Sequence, residues 1–166
     1  MASSLIWIPA GAGTFGASNT PGVAQFVGTH QFLAIAFAGT NGTQDEAAYF
    51  TAKIPAFYTD GANVTFYVEW EPAATATAGH NVSFDLSYKG TAVDEATDGA
   101  YTTTVTVNRV ITVAGDRHRS AFAFAAPSLV AGDLLTLKLN RDYDEANGGT
   151  AAAVDTYLYG IEMVED

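Results

Sequence analysis

Two stretches of this chain alternate strictly between apolar and polar side chains, and that pattern restricts its fold more than any other feature. In residues 63–70, Val64, Phe66, Val68 and Trp70 fall on one side, while Thr65, Tyr67 and Glu69 fall on the other. Residues 81–88 repeat the pattern, with Val82, Phe84, Leu86 and Tyr88 in phase. Successive side chains of a strand point to opposite faces, so a period of two marks strands with one face in a core and the other toward solvent. Weaker alternation predicts further strands at residues 31–38, 48–54, 101–107, 110–113, 118–124, 134–140 and 156–164. In the last of these, Tyr157 and Tyr159 are expected to pack inward with Ile161 and Met163.

Turn residues separate these stretches: Gly39-Thr40-Asn41-Gly42, Asp60-Gly61, Lys89-Gly90, Asp98-Gly99, Ala131-Gly132-Asp133 and Asn147-Gly148-Gly149. Glycine reaches positive φ without steric cost, and Asn and Asp bond their own backbone in turns. No window of twelve residues carries an apolar stripe of period 3.6, so at most one or two helical turns are expected. The sequence therefore predicts an all-β protein, a two-sheet antiparallel sandwich of jelly-roll type with an extended N-terminal arm. At 166 residues it fits one domain, and a domain of that size buries about 70% of its unfolded surface. With no cysteine, it has neither a disulfide framework nor a thiolate metal site.

Residues 9–29 differ from the rest. Gly, Ala, Ser and Thr dominate and nothing alternates, so this stretch is expected to lack secondary structure. The expected division is residues 1–29, an arm or ordered loop that can include a short first strand over residues 5–8, followed by the sandwich at 30–166. Read as a partner-binding arm, the segment would dock through Phe15, Val23, Phe26 and Val27.

Charge and motifs narrow the function. Eighteen acids against seven Lys and Arg give a formal charge of −11, which repels a phosphate backbone, so nucleic acid is not an expected partner. No run approaches the ~18 apolar residues of a membrane helix, and the opening residues lack the basic start of a signal peptide. Gly11-Ala12-Gly13-Thr14-Phe15-Gly16 matches the dinucleotide fingerprint in letters only. Asn19-Thr20-Pro21-Gly22 blocks the helix that fingerprint needs, and no acid follows until Asp45. His30, His80 and His118 stand singly and are expected at the surface; no paired-histidine metal motif or G-x-S-x-G elbow is present. The acids at 94–98 and 142–145 lack a calcium-loop spacing and read as solvated loops, with Arg141 available to pair with Asp142 or Asp144. No catalytic, metal or cofactor residue is expected. Trp7, Tyr49 and Tyr67 raise sugar stacking, whereas Trp70 belongs to the apolar phase of its strand.

Three stretches together resemble the jelly-roll decoration (cement) and appendage proteins of tailed bacteriophages. They are residues 48–58, the paired strands 64–70 and 82–88, and residues 131–142, whose "AGD, alternating strand, RD" segment precedes a last strand like 157–163. The resemblance implies a non-enzymatic virion protein on the capsid exterior, made in the host cytoplasm. Its implied partners are the major capsid protein and further copies of the chain, a trimer being favoured. The alternatives are a carbohydrate-binding or host-adhesion sandwich on the same fold, or a tail or fibre component.

Overall fold

The computed structural model describes residues 3–15, 21–27, 32–39, 45–96, 99–143 and 150–166, with backbone alone at 23–27 and 32–33. Eleven strands are described: β1 (Ser3–Pro9), β2 (Thr14–Phe15), β3 (Gly22–Val27), β4 (Phe32–Phe37), β5 (Glu46–Lys53), β6 (Val64–Pro72), β7 (Asn81–Thr91), β8 (Val105–Val110), β9 (His118–Phe124), β10 (Leu134–Asp142) and β11 (Thr156–Glu165). They form two antiparallel sheets. One runs β3-β4-β11-β6-β9, with β1 also on β11; the other runs β2-β5-β10-β7-β8. From β4 onward the wiring is that of a jelly roll: β4 pairs with β11, β5 with β10, β6 with β9 and β7 with β8, like a long ribbon folded over on itself. The predicted sandwich is the observed one.

The alternating residues fill the space between the sheets. Val64, Phe66, Val68 and Trp70 of β6 face Val82, Phe84, Leu86 and Tyr88 of β7, and all eight are buried. Rings meet edge-on across the layers, Trp70 on Phe84 at 5.7 Å and Tyr88 on Phe124 at 5.0 Å. Each such large side chain stabilises the fold by about 1.5–3 kcal/mol through burial. The indole N–H of Trp70 finds an acceptor inside the core, the Ser120 hydroxyl at 2.9 Å.

Four expectations change. Residues 9–29 carry secondary structure: a 3-10 turn at Ala10–Ala12, then β2 and β3, one strand in each sheet. Alternation fails to mark them because β2 is two residues long and β3 has an irregular register between Gly22 and Gln25. Gly13 packs so tightly there that a Cβ would lie 2.7 Å from Ile35 Cδ1, so this glycine serves close packing. Second, the strands expected at 101–107 and 110–113 reduce to one, β8, which stops at Val110; residues 101–104 run on beside β7 without ladder pairing, and residues 111–113 are not strand. Third, β11 has a bulge at Tyr159, between Leu158 opposite Trp70 and Gly160 opposite Glu69. The extra residue reverses the phase, so Leu158, Ile161 and Met163 are buried while Tyr157 and Tyr159 sit half-buried on the outer face. Fourth, His118 is buried at 6% exposure, stacked on Trp70 at 4.6 Å.

Candidate functional site

With the core occupied, binding chemistry can reside only on the two outer faces and the loops. On the outer face of the six-stranded sheet, Glu69, Arg119 and Glu162 of β6, β9 and β11 are paired with one another and with Arg117. Glu69 is 7% exposed although it points outward, because Arg117 and Arg119 close over it at 2.7 and 3.1 Å. Arg119 also binds Glu162 and lies 3.6 Å above the centroid of the Tyr67 ring. Burial, then the hydrogen bond and charge of Glu71, push the Tyr159 hydroxyl far above its ordinary range. Trp7 is half-exposed beside this network and lies against Gly160, where a Cβ would meet its ring at 2.5 Å.

The outer face of the five-stranded sheet has a different chemistry. Register sets its outward residues in rows across β5, β10 and β7: Ala47, Asn140 and Asp85; then Tyr49, Lys138 and Ser87; then Thr51, Thr136 and Lys89; then Lys53, Leu134 and Thr91. Thr14 of β2 extends the second row and donates to the Tyr49 carbonyl. Hydroxyls and ammonium groups thus cover a surface about 10 Å wide from β5 to β7.

Tyr101 completes this face from beyond β7. Residues 101–104 are held to β7 by the Thr102 N–H and hydroxyl, both donating to the Tyr88 carbonyl at 2.9 and 2.6 Å, and by Ser87 Oγ against Thr104 Oγ1 at 2.8 Å. From that anchor the Tyr101 ring comes within 6.4 Å of the Tyr49 ring, inclined at 42°. Tyr49 stands on β5, so the two rings meet over the strands between them, with Lys138 in the row beside Tyr49. Burial and then Tyr49 raise the Tyr101 hydroxyl above its ordinary value, which keeps it a neutral donor at physiological pH. The arrangement offers two inclined aromatic surfaces, several hydroxyls and an ammonium group that has no carboxylate partner among the described residues.

The residues proposed for a docking arm do not assemble here. Phe15 lies in β2 opposite Ala48 and packs against the chain's own core, while Val23, Phe26 and Val27 lie in β3, in the other sheet. Of the acid clusters, Asp98, Asp144 and Glu145 fall outside the described residues, as does His30. Glu95 accepts from the Ala92 N–H. Among the described residues no three His, Asp or Glu side chains converge as a metal site requires, and no helix is long and apolar enough to cross a membrane. Arg141 is neither a surface residue nor held by Asp142 alone: it is buried at one end of the sandwich, where it donates to four backbone carbonyls.

Sequence reading found Tyr49 as an outward aromatic but missed Tyr101 and Lys138. Lys138 was available from the phase of residues 134–140, where it alternates with Leu137 and Leu139. Tyr101 was not, because its approach to Tyr49 depends on sheet order.

No protein-family model matches the sequence, and no curated protein matches it. Solved structures do. The CBM22-1–GH10 modules of Clostridium thermocellum endo-1,4-beta-D-xylanase 10B, complexed with xylohexaose, superpose with a TM-score of 0.55 at 13% identity, covering 100% of this chain and 29% of that one. The CBM22-2 xylan-binding domain of Paenibacillus barcinonensis Xyn10C gives 0.54 at 10% identity, with 97% and 99% covered. The K3 cleaved adhesin domain of Lys-gingipain from Porphyromonas gingivalis gives 0.54 at 8% identity and covers both chains in full. Identities this low establish the shared sandwich fold alone. The chain spans less than a third of the xylanase chain it matches.

Proposed function

We propose that this chain is a non-catalytic carbohydrate-binding or adhesion module, and that it holds its glycan on the outer face of the five-stranded sheet. The observation that carries this reading is the inclined Tyr49–Tyr101 pair, with Lys138 in the row beside Tyr49. Tyrosine offers an apolar ring for the C–H face of a sugar and a hydroxyl for its polar edge. The neighbouring Thr51, Thr104 and Thr136 supply groups that both donate and accept, as sugar hydroxyls require. Two of the similar folds are a module named for xylan binding and one complexed with xylohexaose, and the third is an adhesin domain; they support the reading by analogy of fold. Retention on an immobilised glycan panel should fall at least tenfold, roughly, for Tyr49→Ala and for Tyr101→Ala, since truncating a central aromatic anchor commonly costs that much. Full retention by both variants would refute the site.

Capsid decoration, implied by the resemblance to virion proteins, is a second proposal. The stretches that carry that resemblance form β5, β6, β7 and β10, the framework of the sandwich, so they bear on fold more than on partner. None of the three similar structures is a capsid protein. The decoration reading predicts that the chain sediments with particles even when Tyr49 and Tyr101 are both replaced.

A further inference from the structure

The distribution of lysines goes one step further. The chain has seven basic residues against eighteen acids. Three of its arginines serve internal partners, Arg117 and Arg119 on carboxylates and Arg141 on backbone carbonyls. Its three lysines, Lys53, Lys89 and Lys138, all project from the outer face of the five-stranded sheet, on three different strands. Among the described residues none of them makes an ion pair; Lys89 donates to the Ala96 carbonyl at 2.9 Å. Over the four rows described above, the one outward carboxylate on these strands is Asp85, which accepts from the Thr106 hydroxyl. A chain with net charge −11 therefore gathers its lysines on the face of its aromatic pair, and among the described residues none of them is ion-paired.

Resting on the reading of this face as a glycan site, we infer that its ligand is an anionic oligosaccharide, a sugar chain bearing carboxylate or sulfate groups. Lys138 lies in the row beside Tyr49, where an acidic group on a ring held by the two tyrosines would meet it. Lys89 is one row and one strand away, about 8 Å by strand spacing, and Lys53 is two rows away, about 14 Å. Lys53 borders an open pocket of about 320 Å³ shared with Thr91, Val93, Glu95 and Leu134. Glu95 in that pocket is turned to the Ala92 N–H. The positive charge thus spreads over three strands from the aromatic pair toward one end of the sheet, matching an acidic chain of several sugars better than a single ion. The acidity of the rest of the molecule opposes long polyanions such as nucleic acid, whose binding needs many basic contacts, and leaves short-range pairing at this face.

The test is calorimetric titration of the full chain with oligogalacturonate, its methyl ester, a heparin-derived hexasaccharide and neutral xylohexaose, at low and high salt. Oligogalacturonate or the sulfated oligosaccharide should bind at least tenfold, roughly, more tightly than the neutral ligands, and lose that margin in high salt. Which of the two binds identifies the acidic group. Lys138→Gln and Lys53→Gln should each weaken the acidic ligand roughly three- to tenfold, leaving the melting temperature unchanged. Equal affinity for oligogalacturonate and its methyl ester, with no acidic preference elsewhere, overturns the anionic assignment and leaves the carbohydrate reading standing. If none of the four ligands binds, both fall.

Discussion

Arg141 allows a quantitative test of how the ends of the sandwich are held. It is 3% exposed, and its guanidinium sits where β4 ends and the segment before β11 returns. Nη2 donates to the Ala152 carbonyl at 2.7 Å, and Nη1 to Val154 at 2.9, Phe37 at 3.2 and Ala38 at 3.3 Å. Two carboxylates brace the same backbone, Glu46 accepting from the Ala38 N–H and Asp155 from the Gly39 N–H. Burial draws the guanidinium pKa down to about 10, with Tyr143, Glu46 and Asp155 opposing the shift, so the group stays charged at neutral pH. In Arg141→Leu the two short charge-assisted bonds are lost, at about 1.5–3 kcal/mol each. Relief of the guanidinium's desolvation offsets part of that loss. The net loss is about 1–4 kcal/mol, or roughly 2–15 °C in melting temperature for a domain of this size. Urea unfolding followed by the fluorescence of buried Trp70 measures it. Arg141→Lys keeps the charge but cannot span carbonyls on two chain segments, so it should recover about half. A loss below about 0.5 kcal/mol in Arg141→Leu would refute the clamp.

Two further predictions concern the six-stranded sheet. Gly160→Ala places a Cβ 2.5 Å from the Trp7 ring and 2.7 Å from the Ile8 carbonyl oxygen, so β1 must shift on β11, at a cost of about 1–3 kcal/mol; near-UV circular dichroism should report the displaced indole, and an unchanged spectrum with unchanged stability would contradict the packing. His118 has its pKa lowered by burial first and then by Arg109, with Asp116 and the Val113 backbone opposing. The unfolded chain therefore binds the proton more readily, and this residue's contribution to stability is lost as pH falls below about 6.5 toward the lower folded value. Stability curves at pH 7.5 and 5 should converge for His118→Phe relative to the parent; an identical pH dependence would exclude the effect.

Much of this fold could be read in the sequence because its central strands are long and buried on one face. β6 and β7 pair over many residues with neighbours on both sides, so their apolar phase is uninterrupted. The phase was lost where geometry breaks the period of two. The bulge at Tyr159 reversed two tyrosines, and the short or irregular β2 and β3 left no alternation to detect. His118 looked like a surface residue because it opens an edge strand, yet its ring stacks on Trp70. The site was legible only in pieces: Tyr49 by phase, Lys138 by the same phase unused, and Tyr101 not at all. Two residues about fifty positions apart become one surface only when the order β5-β10-β7-β8 is known.

The central claim is that the face bearing Tyr49, Tyr101 and Lys138 holds a glycan. Titrating the isotopically labelled chain with oligogalacturonate while recording amide shifts tests it most directly, because every strand reports separately. The account predicts perturbations concentrated at Tyr49, Thr51, Ser87, Thr136, Lys138 and residues 101–104, with Trp7, Tyr67, Glu69 and Gly160 unmoved. Perturbations centred on Trp7 and Gly160 instead, or none with any acidic or neutral oligosaccharide, would contradict it.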